Sequence, residues 1–282
     1  DLIGSLKMGD FVKNHPERFI QTGIAEANMI GIAAGLATTG KIPFAGTFAV
    51  FAAGRAYDQI RLTVAYSHKN VKIAASHSGI SVGEDGASHQ MIEDIALMRA
   101  LPGMVVINTC DYNQTKAATF AASEYYGPVY LRFGRPAVPN YTPVDQKFEI
   151  GKAVLMNEGT DVTIIATGHP MWEAIEAATV LSKRGVSVDL INIHTIKPID
   201  ENAIIKSAKK TNAVVTVEEH SIFGGLGEAV ANVLVHNYPV KMEMIGINDT
   251  FGQSGTTEEL YEKYGLTVNN IVDKVEKIIA HK

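Results

Sequence analysis

Three histidines and three carboxylates stand where they could do chemistry in the first half of this 282-residue chain. Glu26 opens a helical pattern, His77, Glu84, Asp85 and His89 share one glycine-rich loop, and His68 lies just upstream. That loop, SHSGISVGEDGASHQ, follows an apolar run typical of a buried strand, and ligand sites of open α/β sheets lie at such carboxyl ends. Loop and cap chemistry alone explains any one of these residues, but their concentration in one post-strand loop points to a site. A metal centre fits poorly, because His77 and His89 are twelve apart with no His-x-x-x-His pair and no cysteine pair. A serine hydrolase fits poorly too, since there is no G-x-S-x-G turn to present a nucleophile. Glu26 sits in TGIAEANMIGIAAGLA, at the first turn of a helix of small apolar residues, where the helix dipole alone would favour a carboxylate.

The elements around these residues alternate short β-rich runs with helical patterns, the signature of a mainly parallel sheet flanked by helices. The fold class is therefore α/β, in two domains. In the first half the pattern predicts strands at Ile42 to Thr47, Val71 to Ser76, Met104 to Thr109 and Pro128 to Phe133. Helices are expected at Glu26 to Thr38, Arg55 to Ser67, Gln90 to Leu101 and Tyr112 to Glu124, the last capped by Asp111. The proline-rich stretch RPAVPNYTPVDQKF has no periodicity, which divides the chain into residues 1–138, a linker at 139–150, and a second domain at 151–282. There strands are expected at Asp161 to Ala166, Ser187 to Ile193, Ala213 to Glu218 and Lys241 to Ile247. Helices are expected at Met171 to Lys183, Glu201 to Lys209, Leu226 to Val235, Thr256 to Tyr264 and Val268 to Ala280.

With 46% hydrophobic and 20% charged residues the composition is that of a folded globular chain. A formal net charge of −5 gives no footprint for nucleic acid. No apolar run approaches the roughly 20 residues of a membrane-spanning helix. The single cysteine, Cys110, predicts a reduced, cytoplasmic setting. The opening residue is Asp1 rather than Met, which leaves open whether residues precede it.

Six segments, TGIAEANMIGIAAGLA, GTFAVFAAGRAYDQIR, SHSGISVGEDGASHQ, HTIKPID, VEEHSIFGGLGEAV and FGQSGTTEELYEKYGL, resemble those of transketolases in the same order. The resemblance spans essentially the whole chain and covers the C-terminal half of that family, its pyrimidine-binding and C-terminal domains. It implies dependence on thiamine diphosphate, with Glu26 bonding the aminopyrimidine ring nitrogen and Phe48 and Phe51 packing on that ring. Asp1 falls at a further cofactor-side position, and Gly54 replaces a third aromatic. The resemblance places His77 and His89 as catalytic residues beside the donor sugar. It adds His77 and Asp85 along the sugar chain or at its phosphate, and Ser5 and Arg132 as a phosphate clamp, where a guanidinium fork suits an anion. Arg132 ends a buried-looking strand and needs an anion, either Asp85 or a substrate phosphate, with Arg135 competing for the same role.

The family's Gly-Asp-Gly…Asn diphosphate motif is absent, so the resemblance further implies that Mg²⁺ is held by a partner chain. The expected assembly is an α2β2 heterotetramer of a split transketolase, acting on phosphorylated sugars of the pentose phosphate pathway. Deoxyxylulose-phosphate synthase and the beta chain of 2-oxo-acid dehydrogenases share the fold and the glutamate, so they are the nearest alternatives. A non-catalytic homologue holding a nucleotide or partner at Gly224, Gly225 and Gly227 is another.

Overall fold

The computed structural model describes residues 2–282. Strands β1 (Phe44–Phe48), β2 (Lys72–Ser76), β3 (Val105–Asn108) and β4 (Val129–Arg132) pair in parallel in the order β1-β2-β4-β3. A second sheet is built from β5 (Val154–Asn157), β6 (Val162–Ala166), β7 (Val188–Asn192), β9 (Ala213–Ser221) and β10 (Lys241–Ile247). Its order is β10-β9-β6-β7-β5, parallel except for the edge strand β5. Helices cover the sheets, so β6 and β7 are buried along their whole length. A strand with both faces covered must be apolar throughout, hence the unbroken runs in the sequence.

The two halves are joined by more than one connection. Strand β8 (Thr195–Lys197) leaves the second half and pairs antiparallel with β3, closing the first sheet. It lies in the HTIKPID segment, and its lysine and aspartate have structural work. Lys197 Nζ donates to the carbonyls of Arg99 at 2.8 Å and Leu101 at 2.5 Å. Asp200 caps the helix Glu201–Thr211 through Ala203 N at 3.1 Å and accepts from Ala153 N at 3.0 Å. From Phe133 to Ala153 there is no regular element, yet the segment is held down. Asp111 accepts from the backbone N–H groups of Tyr141 at 2.9 Å and Thr142 at 2.8 Å, and the Phe148 ring packs 4.0 Å from that of His194.

The elements depart from the sequence expectations in four places, each with a tertiary cause. The helix expected from Gln90 begins at Asp94, because Gly79 and Met91 exchange backbone hydrogen bonds of 2.7 and 3.3 Å that hold the preceding residues extended. The helix expected at Arg55 begins earlier and is interrupted. It runs as π-helical turns at Val50–Arg55 and Ile60–Tyr66 with an α-turn, Tyr57–Gln59, between them, a wide geometry frequent at functional sites. Strand β9 continues past Glu218 through Glu219 and His220, all buried. The short strands β5 and β8 lack a sequence signal of their own; they exist because neighbouring edges offer hydrogen bonds.

Candidate functional site

The cluster forms at the carboxyl edge of β1 and β2. Phe48 ends β1 and pairs in register with Ser76, the last residue of β2, so His77 leaves the sheet beside Phe48. The two rings stack with centroids 3.8 Å apart and planes 14° apart. His77 has φ +55°, an uncommon conformation for a residue with a side chain, and the stack with Phe48 holds it there. Burial pushes its imidazole down to about 4, with the Arg135 charge acting in the same direction and Asp85 opposing. At neutral pH His77 is therefore an uncharged hydrogen-bonding group, its Nδ1 3.0 Å from Ser76 Oγ.

Phe51, on the first π-turn, lies nearly parallel to Phe48 at 5.7 Å, and His89 meets it edge-on at 5.5 Å. Glu26 heads the helix Glu26–Ala37 with its side chain 11% exposed, and Oε1 accepts from Arg55 at 3.1 Å. The Arg55 guanidinium in turn lies over the Phe51 ring, 4.1 Å from its centre. The structure thus brings Glu26, Phe48, Phe51, His77 and His89 into one run of contacts and adds Arg55, which the sequence reading passed over. Its spacing from Phe51 was the available signal, since residues four apart on a helical segment are neighbours.

Arg132 requires a correction. It is 2% exposed, and its Nε donates to the fully buried Asp94 at 2.9 and 3.1 Å. Its remaining donors reach Asn108 Oδ1 at 3.3 Å and the carbonyls of Met91 at 3.3 Å and Glu219 at 3.0 Å. At 2% exposure, with Nε, Nη1 and Nη2 all bonded inside the protein, the Arg132 guanidinium faces the scaffold and not an open phosphate site. The arginine paired with the histidine loop is the half-exposed Arg135, bonded to the Val82 carbonyl at 2.5 Å and paired with Asp85 at 3.4 Å and Glu84 at 3.6 Å. Arg135 and Glu84, with Ser81, Val82, Pro136 and Thr257, line a cavity of about 240 Å³. Ser5 lies on an exposed turn, and Asp1 falls outside the described residues.

The second half of the chain shapes the histidine loop from behind. Glu219 on β9 accepts from Ser81 N at 2.5 Å and from the Tyr261 hydroxyl at 3.1 Å. Gln90 Nε2 donates to the carbonyls of Ile80, Gly83 and Gln253 at 3.1, 3.3 and 2.9 Å. Gly86 adopts φ +73°, and a Cβ there would come within 2.6 Å of Ser254 Oγ, so the loop must be glycine where it meets this half. The glycines at Gly224, Gly225 and Gly227 have a packing explanation as well. Glu218 accepts from Leu226 N and Gly227 N, both at 2.7 Å, and a Cβ on Gly225 would overlap its carboxylate at 2.1 Å. Burial pushes the Glu218 carboxyl up to about 7, and because it already takes the first N–H groups of the helix Leu226–Asn237, those donors are not available to a nucleotide phosphate.

The cluster sets a carboxylate beside an aromatic face. Arg55 demonstrates the donor set: a planar N–H-bearing cation stacks on Phe51 while donating to Glu26, the two contacts an aminopyrimidine would use. The residues present thus fit the aminopyrimidine end of thiamine diphosphate. Among the described residues no three His, Cys, Asp or Glu side chains gather as a metal site, and no helix is long and apolar enough to cross a membrane.

Comparison with known proteins shows the family to which the chain belongs. Residues 1–140 match the family pattern of the transketolase pyrimidine-binding domain, and residues 151–271 match that of the transketolase C-terminal domain. A putative transketolase C-terminal section of Methanocaldococcus jannaschii is 52% identical over 98% of this chain and 87% of its own length. A 6-deoxy-6-sulfo-D-fructose transketolase subunit of a Clostridium species is 44% identical over 100% and 88%. Among solved structures, a split-gene transketolase described as an inactive β4 tetramer superimposes with TM-score 0.93 at 50% identity, covering 99% of this chain and 90% of that one. The transketolase of Leishmania mexicana matches at TM-score 0.75 and 27% identity, with only 37% of that chain covered. The chain belongs to the transketolase family. It corresponds to the subunit of a split transketolase that carries the pyrimidine-binding and C-terminal domains.

Proposed function

We propose that this chain, paired with a diphosphate-binding chain, transfers a two-carbon ketol unit from a ketose phosphate to an aldose phosphate. The observation that carries the reading is the run of contacts from Glu26 through Arg55 and Phe51 to His89, Phe48 and His77, with the Arg135–Asp85 pair near enough to His77 to act on its charge. When bound, thiamine diphosphate supplies the reactive carbon for bond cleavage. The chain's own residues do the rest: Glu26 holds and moves a proton at the pyrimidine nitrogen, and Phe48 and Phe51 fix the plane of that ring. His77, uncharged, and His89 orient the sugar's carbonyl and hydroxyls. Mg²⁺ and the diphosphate are assigned to the partner chain. The domains are assigned to residues 1–138 and 151–282, the assembly to α2β2 and the setting to the cytoplasm.

The surface beside Glu26 supports a missing partner. Ile24 is 74% exposed, two residues before the glutamate, and Leu62 and Tyr66 are exposed on the helical segment against which Glu26–Ala37 packs. Isolated apolar side chains need no explanation, but exposed ones on the two packed segments that carry the glutamate and follow Arg55 fit a protein interface. The inactive β4 form of the split-gene relative supports the same reading. The test is to assay the purified chain alone and with its co-purifying partner, using thiamine diphosphate and Mg²⁺. The chain alone is expected to show no ketol transfer, and full turnover without a partner would overturn the assignment.

Arg135 is assigned to the substrate phosphate, because its half-exposed guanidinium is paired with Asp85 of the histidine loop and can exchange that carboxylate for a phosphate. Its existing pairs are half-exposed and weak, so they give way at little cost. Arg135→Ala is expected to lower kcat/KM by about 10-fold on sugar phosphates, the low end of a charge-assisted hydrogen bond. On hydroxypyruvate, a donor without phosphate, the rate should hold. An equal fall on both substrates would remove Arg135 from the phosphate site.

A further inference from the structure

We infer that Arg55 is a built-in stand-in for the cofactor's aminopyrimidine, filling its place in the free chain and swinging out when the ring binds. The inference rests on the thiamine-diphosphate reading above and goes beyond it by assigning a role to a residue that reading leaves unused. Three observations converge. The Arg55 guanidinium is planar, cationic and rich in N–H donors; it lies 4.1 Å over the centre of Phe51, and its Nη1 is 3.1 Å from Glu26 Oε1. Phe48 is 6% exposed with His77 stacked on it at 3.8 Å, and His89 meets Phe51 at its edge. The face of Phe51 that Arg55 covers is therefore the aromatic face placed to receive a second flat ring within reach of Glu26. Lastly, Arg55 is itself half exposed, with a side-chain exposure of 51%, so it has solvent to move into.

The two occupants are mutually exclusive. A ring cannot stack on a face already covered at 4.1 Å, and a ring reaching Glu26 from that face would have to occupy the space the Arg55 guanidinium fills. Without the arginine, the free chain would leave a nearly buried carboxylate beside an open aromatic face. With it, charge and ring are both satisfied until the cofactor arrives. Gly54, immediately before Arg55, meets nothing within 4 Å at its Cβ position, so this stretch is open enough for the side chain to swing.

Binding must then displace a half-exposed ion pair and a cation–π contact, both weak where solvent reaches them. Removing the stand-in should tighten cofactor binding by about 3- to 10-fold at about 1.4 kcal/mol per decade. The test is equilibrium binding of thiamine diphosphate, with Mg²⁺, to the complex of this chain and its diphosphate-binding partner, followed by calorimetry for wild type, Arg55→Ala and Arg55→Gln. Circular dichroism checks that each variant is folded. Tighter binding by both variants supports the inference. Unchanged or weaker binding overturns it, since Arg55 would then be a bystander or a contact to the bound cofactor. If the wild-type complex itself binds no thiamine diphosphate, the functional reading fails and takes this inference with it; the wild-type arm thus separates the two failures.

Discussion

Glu26→Ala in the assembled enzyme is expected to lower turnover by about 10²-fold or more, the range removed with a positioned acid–base group. The fold singles out this carboxylate. It lies at the first turn of the helix Glu26–Ala37, where the helix dipole favours negative charge, and its side chain is only 11% exposed. A hydrogen bond made in such a place is stronger than one in water. Because Glu26 acts at the cofactor and not at the sugar, substrate affinity should change little. The decisive measurement is exchange of the thiazolium carbon proton with deuterated solvent, which isolates cofactor activation from sugar chemistry. A near-normal exchange rate in the variant would assign Glu26 to capping alone. Glu26→Gln keeps the shape and a hydrogen-bonding oxygen but not the titrating proton, so it should exchange slowly as well.

Breaking the Arg132–Asp94 pair is expected to cost about 3–5 kcal/mol of stability, the range for stranding one charge of a buried pair. Asp94 is 0% exposed and Arg132 2%. The Tyr130 hydroxyl also donates to Asp94 at 2.8 Å. Arg132 further ties β4 to β9 through the Glu219 carbonyl, so the loss extends across both halves of the chain. Arg132→Ala and Asp94→Ala should each lower the thermal midpoint and the denaturant midpoint. Activity per folded molecule should fall alike on sugar phosphates and on hydroxypyruvate. Replacing both residues together by apolar side chains of similar volume should cost less than either single change, because no unpaired charge is left buried. A phosphate-selective loss in Arg132→Ala with unchanged stability would restore that arginine to the substrate site.

The contrast between Arg132 and Arg135 marks how far one-dimensional reading reaches. Both stand in one run, PVYLRFGR, and both are arginines near the end of a strand. Periodicity placed that strand and its carboxyl edge, so the run was legible as part of a site. Which arginine faced inward depended on Asp94, 38 residues away, and no local pattern records such a pairing. Arg55 is a similar case. Its i+4 relation to Phe51 was present in the sequence, but its contact with Glu26 spans 29 residues and the strand β1.

The α/β class, most strands and helices, and the histidine loop were determined by the sequence alone, because they rest on local physics. Apolar runs must be buried on both faces, helices stop where capping and glycine or proline allow, and a glycine-rich loop after a strand sits at a sheet edge. The family was legible for the same reason, since its motifs are contiguous stretches. Tertiary structure alone decided what joins distant stretches. It set β8 against β3, stopped the helix at Asp94 through the Gly79–Met91 bridge, and held the histidine loop with Glu219 and Gln90. Those contacts depend on which edges and buried groups lack partners once the sheets have formed, and that accounting can be made only in three dimensions.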